Sequence, residues 1–189
     1  MKKAVFLDRD GVLNELVINP VTGEYEPPHS PEDLILYPWV IGSLQVLAKS
    51  GFELFLVSNQ PDFAKGKTML ENLQAVHEKL DGALQSAGIL FLKYYYCFHH
   101  PKGVVPEYTF DCACRKPKPY CLLEAAKDYG IDLTNSWMIG DRDSDILCGK
   151  SAGVRTILIE NIHSSTYHGL SNPDFAVANL QIAVQIIVQ

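Results

Sequence analysis

Two aspartates one residue apart, in Asp8-Arg9-Asp10, stand directly after the apolar run Ala4-Val5-Phe6-Leu7 and just before Gly11. Carboxylates at i and i+2 behind a buried strand can divide labour. One can attack phosphorus and form an aspartyl-phosphate. The other can protonate a leaving oxygen and then activate water. Gly11 lets the chain turn sharply beside a ligand. The spacing alone is not specific, because D-x-D more often marks a strand ending in a charged turn. A second acidic run, Asp141-Arg142-Asp143-Ser144-Asp145, follows Gly140. Carboxylate oxygens suit Mg²⁺, which takes one or two of them together with phosphate and water. A calcium loop is excluded, since Ile146 stands where Gly is required and Ala152 where Glu is required. Asp143 or Asp145 suits the acidic first turn of a helix, which leaves Asp141 as the candidate ligand.

Cations that could meet an anionic substrate cluster in Arg115-Lys116-Pro117-Lys118-Pro119. Two prolines hold this run extended and then open a helix. Lys116 can neutralise phosphate charge, and Arg115 can grip a second phosphate with its guanidinium fork. An exposed basic loop is the commoner fate of such runs.

Four further residues suit a metal. Cys97 and His99 form one i, i+2 pair, and Cys112 and Cys114 form another. In an extended segment such pairs point the same way. Together they make a closed Cys₃His set, the chemistry of structural zinc, with no open position for water. His100 stands beside His99 as a second candidate. Cys121 and Cys148 fall on expected helices and read as core thiols.

The elements that must position these residues follow from the apolar pattern. Strands are expected at Ala4–Leu7, Glu53–Val57, Leu92–Tyr96, Ser136–Ile139, Val154–Ile159 and about Phe175–Ala178. Helices are expected over Val40–Lys49, Met69–Ala87, Tyr120–Tyr129 and Asp145–Ala152, with one more at the end; Gly51, Gly88 and Gly130 close the first three. Apolar strands alternating with amphipathic helices predict a Rossmann-like, doubly wound, mainly parallel sheet. Ligands bind such sheets at the carboxyl ends of the strands. Asp8 and Asp10, Ser58 and Asn59, and Asp141 all follow strands, as that rule requires.

The chain has 189 residues, enough for one domain spanning 1–189 with its own core. Its 47% hydrophobic and 20% charged residues exclude a disordered chain. Sixteen Lys and Arg against 22 Asp and Glu give a net charge of −6, which argues against a general binder of nucleic acid or anionic membrane. The apolar run at the start stops at Asp8, too short for a signal peptide, and no stretch reaches the ~20 apolar residues of a membrane span. A cytoplasmic monomer is expected. Five cysteines, an odd number, disfavour a disulfide framework.

In order, Asp8-x-Asp10-Gly11, Ser58, Lys116 and Gly140-Asp141 resemble the motifs of the haloacid dehalogenase (HAD) superfamily of phosphatases, over about three quarters of the chain. Cys-x-His-His-Pro followed by Cys-x-Cys-Arg-Lys-Pro narrows the resemblance to the heptose bisphosphate phosphatases and the related histidinol-phosphate phosphatases, which carry a zinc loop, here at about 97–114. The resemblance implies Asp8 as nucleophile and Asp10 as general acid and base. It implies Mg²⁺ held by Asp8, the Asp10 carbonyl and Asp141, with Ser58 and Lys116 stabilising the transferring phosphoryl group. Asn59, Gln60, Arg115 and Arg142 would contact substrate, and Cys97, His99, Cys112 and Cys114 would hold zinc. No large cap domain fits between the motifs. The implied substrate is a small phosphorylated sugar, a heptose bisphosphate in first place and histidinol phosphate in second. Glu24, Tyr25 and Glu26 could form an acidic, aromatic pocket for the latter. A zinc-stabilised interaction module without activity is the rival from another class. Two segments depart from the family pattern: Pro61-Asp62-Phe63-Ala64-Lys65-Gly66 replaces a Ser-Gly-Ile-Ala-Arg-Gly run, and Asn19–Pro31 looks longer than in the common heptose form.

Overall fold

The computed structural model describes residues 1–189. Alternation within each strand divides the interior in two. In β1 (Lys3–Leu7), Val5 and Leu7 face one side of the sheet while Ala4 and Phe6 face the other. In β4 (Phe52–Asn59), Leu54 and Leu56 oppose Phe55 and Val57 in the same way. The larger core of 24 buried residues joins the Val5 and Leu54 side to α1 (Val40–Lys49), α2 (Leu70–Ser86) and the terminal α5 (Leu180–Val188). The smaller core of 13 residues joins the Phe6 and Phe55 side to α3 (Tyr120–Tyr129) and α4 (Asp143–Ala152). Cys121 and Cys148 lie in that second layer, buried, as their helical positions predict.

Six strands form one sheet in the order β5-β4-β1-β6-β7-β8, all pairs parallel, where β5 is Lys93–Cys97, β6 Trp137–Gly140, β7 Arg155–Ile159 and β8 Phe175–Val177. The chain builds outward from β1 to β5 on one side, then crosses back to β6 on the other. That reversal opens a crevice at the carboxyl end of β1. Register aligns the chemistry there: Leu7 pairs with Leu56 on one neighbour and Ile139 on the other. Asp8 therefore leaves the sheet between the segments carrying Ser58 and Asp141.

Helix and strand bounds differ from expectation by a residue or two at most ends, the ordinary fraying of such boundaries. A small antiparallel hairpin, β2 (Val17–Ile18) with β3 (Tyr25–Glu26), was not expected from the sequence. It occupies the connection between β1 and α1 and lies over the crevice. No helix is long and apolar enough to cross a membrane.

Candidate active site

Asp8, Asp141 and Asp145 converge at the crevice floor, with one carboxylate oxygen from each lying within 4.8 Å of the others. Asp141 and Asp145 are fully buried and Asp8 is 7% exposed. Asp145 reaches the group from the first turn of α4, which starts two residues after Asp141 at the carboxyl end of β6. Its Oδ2 accepts from the Arg142 N–H at 3.0 Å, so it also caps α4, and its Oδ1 pairs with Lys116 Nζ at 2.5 Å. The sequence pattern marks that capping role and overlooks the second one. Asp143, the other capping candidate, turns away: its carboxylate accepts from the Leu170 and Ser171 N–H groups and pins the segment beyond β7.

Lys116 lies inside this trio, 3% exposed, with Nζ 3.0 Å from Asp8 Oδ1 and donating to the Val57 carbonyl at 2.6 Å, and Arg142 Nε approaches Asp141 Oδ1 at 4.0 Å. Burial opposes its charge, but Asp145 and Asp8 together hold its pKa above the ordinary lysine value. Lys116 and the more distant Arg142 do not offset three carboxylates. Burial, with Asp8 and Asp145 nearby, pushes Asp141 well above the usual carboxylate range, and burial raises Asp145 to about 6. Neither side-chain oxygen of Asp141 has a hydrogen-bond partner. Its carbonyl, by contrast, is held by the Ser164 hydroxyl at 2.9 Å and His168 Nε2 at 2.7 Å. Unpartnered buried carboxylate oxygens with excess negative charge fit a hard divalent cation such as Mg²⁺. Gly11, at φ +79°, admits no side chain, because a Cβ there would run into the Asp141 carboxylate.

Asp10 is held differently. Arg9 Nε and Nη2 donate to its Oδ1 and Oδ2 at 3.0 and 3.2 Å, Asn14 Nδ2 donates to Oδ1 at 3.1 Å, and Gln60 Nε2 donates to Oδ2 at 2.6 Å. Arg9 and Asn14 are fully buried. Sequence reading missed both residues. The signal was Arg9 standing between a buried strand and the apolar pair Val12-Leu13, a place where a charge must be paired.

The cavity above this floor has a volume of about 760 Å³. Asp8, Asp10, Asn59, Arg115, Lys116 and Arg142 line it. Ser58, Gln60 and Asp141 lie beneath its surface, 0–2% exposed. The structure does not bring Gln60 to the substrate side as the resemblance implies: its amide is engaged by Asp10, Ser58 and Arg9. Asn59 reaches the cavity wall, yet its amide pairs with the Lys116 backbone, accepting from N–H and donating to C=O at 3.1 Å each. It braces the lysine. Arg142 lies 4.2 Å from the Tyr167 ring centroid, which supports its guanidinium from the far wall.

The two segments that depart from the family pattern meet at the cavity rim. His29 Nε2 lies 2.8 Å from Asp62 Oδ2, and Lys67 pairs with Glu26, which also accepts from Asn19 Nδ2 at 2.9 Å. The Tyr25 ring, which lines the cavity, stacks on His163 outside it with centroids 3.6 Å apart. The β2–β3 hairpin on the cavity wall is thus anchored to two different parts of the chain.

Cys97, His99, Cys112 and Cys114 come together, with one ligand atom of each within 4.8 Å of the rest. His100 is outside this group, its Nδ1 accepting from the Lys102 N–H at 3.1 Å. Hydrogen bonding from the Cys114 thiol lowers the Cys97 pKa to about 5 against the effect of burial. A thiolate among soft donors in a closed set fits zinc. The cluster touches the cavity through Arg115, which follows Cys114 and donates from Nη1 to the His99 carbonyl at 3.1 Å.

A six-stranded parallel sheet with acidic residues at the carboxyl ends of β1 and β6 defines a HAD-like hydrolase, and the HAD-hydrolase-like family matches residues 113–183. The D-glycero-alpha-D-manno-heptose-1,7-bisphosphate 7-phosphatase of Photorhabdus laumondii is 33% identical over 94% of this chain and 96% of its own length. The D-glycero-beta-D-manno-heptose-1,7-bisphosphate 7-phosphatase of Pasteurella multocida is 35% identical over 95% and 94%. The D,D-heptose 1,7-bisphosphate phosphatase of B. bronchiseptica, solved with magnesium and phosphate, superposes with a TM-score of 0.81 at 25% identity, covering 99% of this chain and 98% of that one. The chain belongs to the heptose-bisphosphate phosphatase family of HAD-like hydrolases.

Proposed function

We propose that the chain is a Mg²⁺-dependent phosphatase that removes the 7-phosphate of D-glycero-D-manno-heptose 1,7-bisphosphate through an aspartyl-phosphate. The observation that carries this reading is the buried trio of Asp8, Asp141 and Asp145 around Lys116, facing a cavity with Arg115 and Arg142 on its walls. Asp8 attacks phosphorus, and the bond to the sugar oxygen breaks as Asp10 gives that oxygen a proton. Water then attacks the aspartyl-phosphate while Asp10 takes up its proton, and phosphate leaves Asp8 unchanged. Lys116, held by the Val57 carbonyl, offsets charge on the equatorial oxygens. Ser58, beneath the floor, would support the same group once the phosphoryl oxygens reach it. Asp8, Asp141 and the Asp10 carbonyl, with Asp145 beside them, would hold Mg²⁺, which would supply further charge neutralisation. Cys97, His99, Cys112 and Cys114 would hold a structural zinc, which would fix the loop carrying Arg115 and Lys116.

Arg115 and Arg142 suit the second phosphate of a bisphosphate. The acidic pocket that histidinol phosphate would need is weakened, because Glu26 is already paired with Lys67. Relatives of nearly equal identity act on the alpha and the beta anomer, so both belong in the test. The experiment is phosphate release from both heptose 1,7-bisphosphate anomers, histidinol phosphate and common sugar monophosphates with Mg²⁺, beside Asp8→Asn. Strong release from a heptose bisphosphate, lost in Asp8→Asn, is the expected result. Preference for histidinol phosphate overturns the substrate, and no release from any ester favours the interaction module.

A further inference from the structure

Asp10 receives four side-chain hydrogen bonds and all come from the protein interior: two from Arg9, one from Asn14 and one from Gln60. These donors fix the plane of the carboxylate as well as its position; they take all of its roughly four lone-pair sites, so one of the longer contacts, Arg9 Nη2 at 3.2 Å or Asn14 Nδ2 at 3.1 Å, must give way on the oxygen that carries the proton. The group is tied in turn to a second tier. Gln60 Oε1 accepts from Arg9 Nη2 at 2.9 Å, and Gln60 Nε2 also reaches Ser58 Oγ at 3.0 Å. The Arg9 guanidinium lies 6.0 Å from the ring centroid of Tyr96, whose hydroxyl is 3.2 Å from His77 Nδ1 on α2. A buried arginine needs one carboxylate partner to offset its charge. It does not need a two-point grip on that partner and a glutamine that braces both.

We propose that Arg9, together with Gln60, is the positioning residue that aims the Asp10 carboxyl at the leaving oxygen. The inference rests on the acid and base role given to Asp10 above. Lysine could supply the charge but not the planar fork, so Arg9→Lys keeps the ion pair and loses the aim. Asp10 matters to aspartyl-phosphate formation only when the leaving oxygen needs a proton. A sugar alkoxide needs one, whereas 4-nitrophenolate leaves without it. A defect in aim therefore separates the two esters, and a general loss of structure does not.

The test compares kcat/KM for heptose 1,7-bisphosphate and for 4-nitrophenyl phosphate in the wild type, Asp10→Asn, Arg9→Lys and Gln60→Leu. For Arg9→Lys, kcat/KM on the sugar ester falls about 100-fold, within the range general acid catalysis supplies, while the aryl ester changes little. The same variant should show a burst of nitrophenol before a slow steady state, since the hydrolysis step still calls on Asp10 as base. Gln60→Leu gives the same pattern with a smaller loss, and it decides the question if Arg9→Lys fails to fold. Equal losses on both esters, or no loss on the sugar ester, overturn the inference. If Asp10→Asn itself treats the two esters alike, the acid role of Asp10 fails first and the inference goes with it.

Discussion

Gly11→Ala should damage the floor of the cavity in a way that a matched glycine elsewhere does not. Gly11 and Gly130 both have positive φ, +79° and +69°. Alanine in that region costs roughly 1–2 kcal/mol at either position. The surroundings differ. A Cβ on Gly130 meets nothing within 4 Å, whereas one on Gly11 lies 2.7 Å from Asp141 Cγ and 3.1 Å from Asn161 Nδ2. Ordinary contact begins at 3.4 Å and Asp141 Oδ2 is nearer still than Cγ, so the Asp141 carboxylate must retreat by more than 0.7 Å or the loop must move. Metal–ligand distances tolerate only about 0.2 Å. Both variants should therefore lose about 2–8 °C in Tm, at 2–4 °C per kcal/mol for a chain of this size. Only Gly11→Ala should also raise the Mg²⁺ concentration for half-maximal activity, by roughly 10–100-fold, the scale of defects in metal-supporting residues. Thermal melts and Mg²⁺ titrations of the two variants provide the comparison. Equal Mg²⁺ dependence in both would refute the steric argument and detach Asp141 from the metal.

Asp8→Asn should melt like the wild type within a few degrees while turnover drops at least about 1,000-fold, as expected on losing a covalent nucleophile; phosphate release beside a melt checks both. Cys114→Ala should cost on the order of 4 kcal/mol, the scale of losing a structural metal, and should open residues 97–118 to proteolysis because Arg115 loses its hold on the His99 carbonyl; an unchanged cleavage pattern would count against a metal there. Burial alone would raise the Asp62 pKa, yet His29, Lys65 and Lys67 bring it below its ordinary 3.8. A carboxylate depressed in the folded state stabilises above its unfolded pKa, and that stabilisation disappears as pH falls through the lower folded value. Asp62→Asn should accordingly be less stable than wild type at neutral pH, with the gap closing below pH 3.8; parallel Tm curves down to acid would exclude the linkage.

Strands and helices were legible because apolar periodicity is a local signal, and the doubly wound sheet followed from their alternation. The grouping of Cys97, His99, Cys112 and Cys114 was equally plain from their close i, i+2 spacing, although Cys112 and Cys114 converge through a turn rather than an extended segment. Asp145 was half-legible. Its place in the first turn of a helix is written in the sequence, but its approach to Lys116 depends on a loop folded in from 29 residues earlier. Gln60 was misplaced for a related reason. A polar residue after a strand can face the cavity or the interior, and only the buried Arg9 and Asp10 beside it decide which. The β2–β3 hairpin escaped notice because two-residue strands carry no period. The pairing of its flank with Pro61–Lys67 is a long-range match of charges that no window along the chain contains.

That match at the rim is reciprocal. Glu26 of the first segment is 8% exposed and answers Lys67, the residue just after the second, while Asp62 of the second is 4% exposed and answers His29 of the first. Neither segment is an independent module. Grafting the corresponding loop of a relative in place of residues 19–31 alone would strand Asp62 and Lys67, and replacing 61–67 alone would strand Glu26 and His29. The interchangeable unit for redesigning selectivity is the pair, moved together.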